Sequence, residues 1–422
     1  MTNKQTTHTP PPGYKRTPLG WIPEEWEVVN IRSIAKLIQT GPFGSQIKAN
    51  EYVNGGVPLI NPSHIREDRI SPDFAISVTS DKAKELKKHQ FKLGDIVLAR
   101  RGELGRCAII TSKEINWLCG TGSLLIRLNS EVILSEIVAI WMRSKRIVNQ
   151  LRMESMGSTM NNLNASIVSG ILLPLPPLPE QRRIAAILAT WDRAIELTQQ
   201  LLAAKTQQKR ALMQQLLTGR VRLPGCRGQW QESNLGSILN KIIGGGTPSK
   251  RKPNYWNGNI PWASVKDITK FNPNGTQEYI TEIGLKNSSS NLIPAGTIIV
   301  STRMALGKAV IFKRDVAINQ DLKALFHNDE KVILEFLKFW FELKETNIEK
   351  LGSGSTVSGI TLQALKKLKI LLLPIPEQTA IARILTTADA ELALLERRLA
   401  ALQAQKRGLM QVLLTGKIRV KL

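Results

Sequence analysis

The segment from Pro179 to Leu223 recurs from Pro376 to Val420 without an insertion or a deletion, and about half of the paired positions are identical. Pro179-Glu180-Gln181 aligns with Pro376-Glu377-Gln378, and Leu216-Leu217-Thr218-Gly219 with Leu413-Leu414-Thr415-Gly416. A repeat of this kind sets the architecture before any single motif is weighed. The chain is one unit used twice, and each unit ends in a long helix.

Steps of four and three through the first copy pass Ile184, Leu188, Trp191, Ile195, Thr198, Leu202, Lys205, Lys209, Leu212 and Leu216. The second copy gives Ile381, Leu385, Ala388, Leu392, Leu395, Leu399, Leu402, Lys406, Leu409 and Leu413. A stripe of 3.5-residue period sustained this long is a coiled-coil seam. Prolines crowd both entrances, and Glu180 and Glu377 suit the positive end of a helix dipole. Gly219 and Gly416 stand where a left-handed cap wants glycine. Each helix is expected to run about 40 residues, or about 60 Å. One such stripe alone is exposed, so two in one chain most simply bury each other, the alternative being that each docks on its own globular domain. The lysines at 205, 209 and 406 fit a two-stranded seam that fixes register. Either orientation is reachable. Antiparallel packing would relate the repeats by a pseudo-two-fold axis, with one domain at each end of a ruler-like rod.

The formal charge of +24 is a surplus usually kept for a polyanion, with nucleic acid the leading candidate. A membrane-surface role is weakened by the lack of an apolar stretch near 18 residues or a basic amphipathic terminus. The polar start from Met1 to Pro12 has no signal-peptide core, which points to the cytoplasm. Cys107, Cys119 and Cys226 form no C-x-x-C pair and read as reduced packing residues.

A segment of mixed α/β (α+β) character precedes each helix. Trp26, Ile31, Ser33 and Ile34 align with Trp230, Leu235, Ser237 and Ile238, and Arg101, Leu104, Gly105 and Arg106 with Arg303, Leu306, Gly307 and Lys308. Ala108 to Ile110 and Ile298 to Val300 read as strands, and Glu131 to Arg152 and Glu330 to Leu351 as helices. The expected division is a polar arm over 1–19, a globular domain over 20–173, a helix over 174–223, a second domain over 224–373 and a second helix over 374–422. The Gly- and Ser-rich turns at 41–45, 244–249 and 352–356 offer backbone N–H groups and hydroxyls that suit phosphate.

The sequence carries no recognisable catalytic motif. There is no phosphate-loop motif, since Leu306-Gly307-Lys308 runs on into Ala309 without an upstream glycine. No metal site is expected from the scattered histidines at 8, 64, 89 and 327. No N-P-P-[YF] run of the amino-methyltransferase kind occurs. Pro72-Asp73 with Glu85-Leu86-Lys87 matches a nuclease pattern only formally, because Glu85 sits on what reads as a solvated helix face.

Together these features resemble the specificity subunit of type I restriction-modification systems. The resemblance spans nearly the whole chain. It rests on the paired Pro-Glu-Gln and Leu-Leu-Thr-Gly motifs, on Gly13-Tyr14-Lys15-Arg16-Thr17 with Ile22-Pro23-Glu24-Glu25-Trp26, and on Tyr255 to Trp262 leading to Lys266-Asp267-Ile268. It implies two target-recognition domains, each reading half of an asymmetric, bipartite double-stranded DNA target, with antiparallel helices as spacer and docking surface. It further implies two methyltransferase subunits on the helices and motor-nuclease subunits in a complex active in phage defence. S-adenosylmethionine, ATP and magnesium would belong to those partners, leaving this chain without catalysis or a cofactor of its own. Residue type and repeat position mark Ser45, Gln46, Lys48, Arg101, Arg106, Thr159 and Asn161 as DNA contacts in the first domain. The second supplies Thr247, Lys250, Arg251, Arg303, Lys308, Ser355 and Thr356. The competing reading is a non-catalytic coiled-coil adaptor whose charge serves solubility. A nuclease acting alone is the third.

Overall fold

The computed structural model describes residues 11–66, 68–155, 162–352 and 359–421. The chain divides into two units, Met1–Glu196 with Ala400–Leu422, and Leu197–Leu399. Each unit thus owns one globular segment, the start of one long helix and the end of the other.

In the first unit a four-stranded antiparallel sheet runs in the order Cys107–Ile109, Ile96–Ala99, Ser123–Leu128, Ala35–Thr40. In the second the order is Ala309–Ile311, Ile298–Ser301, Leu322–His327, Leu239–Gly244, again antiparallel. The same strands of the repeat take the same places. A second sheet in each unit contains one parallel pair, Leu118–Cys119 on Val57–Ile60 and Val316–Ile318 on Trp256–Ala263. The central strands are buried throughout, as apolar β-branched runs require.

The long helices are Leu178–Leu217 and Ile375–Leu413. All ten stripe positions of each helix are buried or half-buried, while their neighbours are mostly exposed. In the first unit Ile184 and Leu188 share a core with Trp26, Leu173, Leu413 and Leu414. In the second, Leu216 and Leu217 share one with Ile381 and Leu385. Each helix start therefore packs on its own domain and on the end of the other helix, so the two alternatives drawn from the sequence both hold. Within each unit the two helix segments run antiparallel. Full burial of each such leucine contributes about 2 kcal/mol.

The seam lysines are paired across the helices. Lys209 Nζ lies 2.5 Å from Asp389 and 2.6 Å from Glu342, and Lys205 lies 2.9 Å from Glu391. In the first unit Lys406 pairs with Asp192. Lys209 with Asp389 and Lys406 with Asp192 are the same pair generated twice by the repeat, which gives the antiparallel register an electrostatic lock. Burial disfavours the Lys209 ammonium, but its hydrogen bonds to Asp389 and Glu342 outweigh this and hold its pKa above the ordinary lysine value. A raised folded pKa adds stability below the unfolded value, and that stability is lost as pH rises through the folded one. The stability difference between wild type and Lys209→Met, followed by urea unfolding, is therefore expected to shrink above about pH 10.5.

The segment expected as one helix from Glu131 to Arg152 is two, Ser135–Met142 and Lys145–Ser155. Ser144 breaks it, its hydroxyl accepting from Ile147 N at 3.3 Å as a cap for the second piece. The counterpart Leu334–Lys350 is continuous.

Candidate nucleic-acid interface

In each unit four loop segments converge at one end of the four-stranded sheet, held by matching hydrogen bonds. In the first unit, Arg100 N donates to Gly122 O and Leu163 N donates to Arg100 O. In the second, Thr302 N donates to Asp321 O and Ile360 N donates to Thr302 O. The loops after Ala35–Thr40 and before Ser123–Leu128 meet where Thr121 Oγ1 donates to Pro42 O at 2.7 Å. The equivalent loops of the second unit meet where Thr247 Oγ1 donates to Gln320 Oε1, also at 2.7 Å. One scaffold thus presents two different sets of side chains.

Arg101 is exposed on the loop between Ile96–Ala99 and Cys107–Ile109, and Arg106 closes the same loop half-buried. Arg303 is exposed on the equivalent loop, 3.7 Å from Asp321, and Lys308 closes it 3.8 Å from Glu345. Gln46 and Lys48 are exposed on the segment that follows Ala35–Thr40, where Gln46 Oε1 accepts from Phe43 N at 3.3 Å. Thr247 joins the Arg303 patch through Gln320. Lys250 does not. It sits 3.5 Å over the Trp256 ring and pairs with Glu278 on the second sheet, and Arg251 is exposed beside it. The Ser45 side chain and Thr159, Asn161, Ser355 and Thr356 lie outside the described residues.

The glycine turns are corrected in part. A Cβ on Gly41 would meet Gly120 O at 2.0 Å, and one on Gly245 would meet Ile318 O at 1.8 Å. Gly41 N donates to Ser123 O and Gly246 N to Ile318 O. These glycines let backbones approach closely, and the two N–H groups are engaged inside the protein rather than offered to phosphate.

Four buried side-chain atoms make no hydrogen bond among the described residues: Arg106 Nε, Ser123 Oγ, Asn162 Oδ1 and Asp321 Oδ1. All four lie in or beside the converging loops. Asp321 Oδ1 still faces the Arg303 guanidinium at 3.7 Å. Burying an unpaired polar atom costs about 1–3 kcal/mol, so the other three call for an explanation, and a partner outside the chain is one. Sequence reasoning missed Gln320, Asp321 and Lys323. Lys323 Nζ donates to Gln320 O at 2.6 Å, and burial holds its pKa below the ordinary value. Their repeat-equivalents are dissimilar residues, so alignment of the halves carried no signal for them.

The paired motifs hold the helices to these domains. Glu180 is fully buried and accepts from Trp26 Nε1 at 2.9 Å and from Arg419 Nε at 2.7 Å. Glu377 accepts from Trp230 Nε1 at 3.0 Å and Arg222 Nη2 at 2.6 Å. Gln181 accepts from Leu134 N and donates to Val132 O and Pro176 O, fixing the chain that enters the helix at Ser135. Gln378 does the same with Ile333 N, Lys331 O and Leu373 O. The role expected of the glutamates at the helix dipole is thus joined by a larger one, as buried acceptors for a tryptophan and an arginine. Gly219 and Gly416 take φ of 73° and 69° as helix stops, and a Cβ on either would strike Trp230 or Pro23.

Cys107 and Cys119 are buried, with burial pushing the Cys107 thiol up to about 12 and the Cys119 thiol upward likewise. No group of three His, Cys, Asp or Glu able to hold a metal occurs among the described residues, and no described helix is long and apolar enough to cross a membrane.

The type I restriction modification DNA specificity domain matches this chain twice, over residues 23–205 and 228–404. A Methanocaldococcus jannaschii protein assigned as the MjaX type I restriction enzyme specificity subunit is 27% identical, covering 97% of both chains. The EcoR124I/EcoR124II specificity subunit of Escherichia coli is 32% identical over 52% of this chain and 55% of its own. A solved chain from a type I restriction-modification system superposes with a TM-score of 0.61 at 22% identity, covering 94% of this chain and 99% of its own, a likeness of fold. With two copies of the specificity domain spanning most of its length, the chain belongs to the type I restriction-modification DNA specificity subunit family.

Proposed function

We propose that this chain selects DNA for a type I restriction-modification complex by reading an asymmetric target in two parts, one with each recognition domain. The observation that carries this reading is the pair of loop clusters, built on identical strand orders and matching hydrogen bonds but lined by different residues. Equal scaffolds give two equivalent readers, and unequal side chains give two unlike half-sites. The charge of +24 supplies the phosphate attraction. Two methyltransferase subunits dock on the long helices, where Leu197, Leu201 and Leu394 are exposed large apolar side chains. Motor-nuclease subunits join them. Methyl transfer from S-adenosylmethionine and ATP- and magnesium-dependent steps belong to those partners, in the cytoplasm.

Arg101→Ala and Arg303→Ala in the assembled complex are each expected to cost about 1–3 kcal/mol of affinity for the target and to relax base preference in different half-sites. Binding-site selection from randomised DNA is the test. Unchanged preference in both variants would remove these arginines from the reading surface.

A further inference from the structure

The loop that carries Arg303 holds an unusual residue at its tip. Met304 has φ of +60°, the left-handed region that residues with a Cβ rarely enter, and the residue is 65% exposed. At the equivalent place of the first unit stands Gly102, with φ of +82°. The loops match otherwise: Gly105 and Gly307 take φ of +83° and +78°, each close against a helix of its own unit. The conformation therefore belongs to the scaffold, and glycine is the residue that meets it without strain. The second unit keeps a long apolar side chain there and gains little burial from it. Hydrogen bonds hold it in place, Leu306 N to Met304 O at 2.6 Å and Ser301 Oγ to Arg303 O at 2.6 Å. A strained, exposed, apolar residue held firmly by its surroundings is a mark of function rather than of folding.

We propose that Met304 is a specificity-determining residue of the second recognition domain, its thioether chain making an apolar contact with a base edge. The proposal rests on the reading of these loops as the DNA-facing surface. The apolar group a base edge offers in the major groove is the 5-methyl of thymine. Arg303 beside it, with Thr247 bonded to Gln320 nearby, supplies the polar contacts of the same patch. Methionine suits the role because its unbranched, polarisable side chain adapts to the surface it meets. The first unit, with glycine at this point, makes no such contact and reads its half-site with other groups.

The test compares wild type and Met304→Gly as complexes with the methyltransferase subunits, by selection from randomised DNA and by thermal unfolding. Met304→Gly is expected to relax the preference for one A·T pair about threefold to tenfold, in the half-site that Arg303→Ala also affects, and to leave the other half-site unchanged. Deoxyuridine in place of that thymine is expected to weaken wild type by a similar factor and the variant not at all. The midpoint of unfolding is expected to stay within about 2 °C, because relief of strain offsets the added freedom of glycine in the unfolded chain. Unchanged selection, relaxation at a G·C pair, or a fall of more than about 5 °C would each overturn the assignment while leaving the split-target reading intact. A wild-type complex without base preference would sink both.

Discussion

Replacing Glu180 by alanine lowers the free energy of unfolding by about 3 kcal/mol, measured by urea titration. The carboxylate is 0% exposed and is the acceptor for the Trp26 indole N–H, itself fully buried. Truncation strands that donor and removes the partner of Arg419, whose guanidinium is held above its ordinary pKa first by Glu180 and then by Glu25. The cost is that of an orphaned buried donor plus a broken charge-assisted bond, not the net worth of a surface pair. Glu180→Gln keeps an acceptor for Trp26 and loses less. Glu232→Ala, which breaks an exposed pair with Lys369, is the control and changes stability by no more than about 0.5 kcal/mol. If Glu180→Ala matched that control, the cluster would be ornamental. The effect matters for function because Arg419 and Glu180 are 239 residues apart in the sequence. Their bond ties the last residues of the chain to the first recognition domain and the start of its helix.

Raising monovalent salt from 50 to 200 mM weakens binding of the assembled complex to DNA about 1000-fold or more. That is the response expected when six or more phosphates are neutralised and their counterions released. The chain's surplus of basic residues makes that count attainable from this subunit. Fluorescence anisotropy with a duplex carrying the target measures it. A flat response would instead favour the adaptor reading, in which the charge serves solubility.

The helices and their seam were the most legible part of the chain. A stripe of fixed period reports burial directly, and all ten positions of each copy are buried or half-buried. Prolines and glycines marked the ends because their backbone preferences are local. What lay beyond reach was anything set by closure of the chain on itself. Glu180 carries no local sign that Arg419 would reach it, and Asp192 and Asp389 gave no sign that they would meet Lys406 and Lys209. The same limit misdirected the glycine turns: Gly41 and Gly245 are glycine because a neighbouring backbone carbonyl leaves no room for a Cβ. At the candidate interface, Arg101 and Arg303 were legible through their repeat positions. Gln320, Asp321 and Met304 were not, since each replaces a different residue in the other half.

The most direct test is the pattern of bases selected from randomised DNA by the wild-type subunit assembled with its methyltransferase partners. Two short, unlike blocks of fixed bases, divided by a gap of constant length and indifferent sequence, are the predicted outcome. A single unbroken site, or two identical blocks, would contradict the account of two unlike readers in one chain.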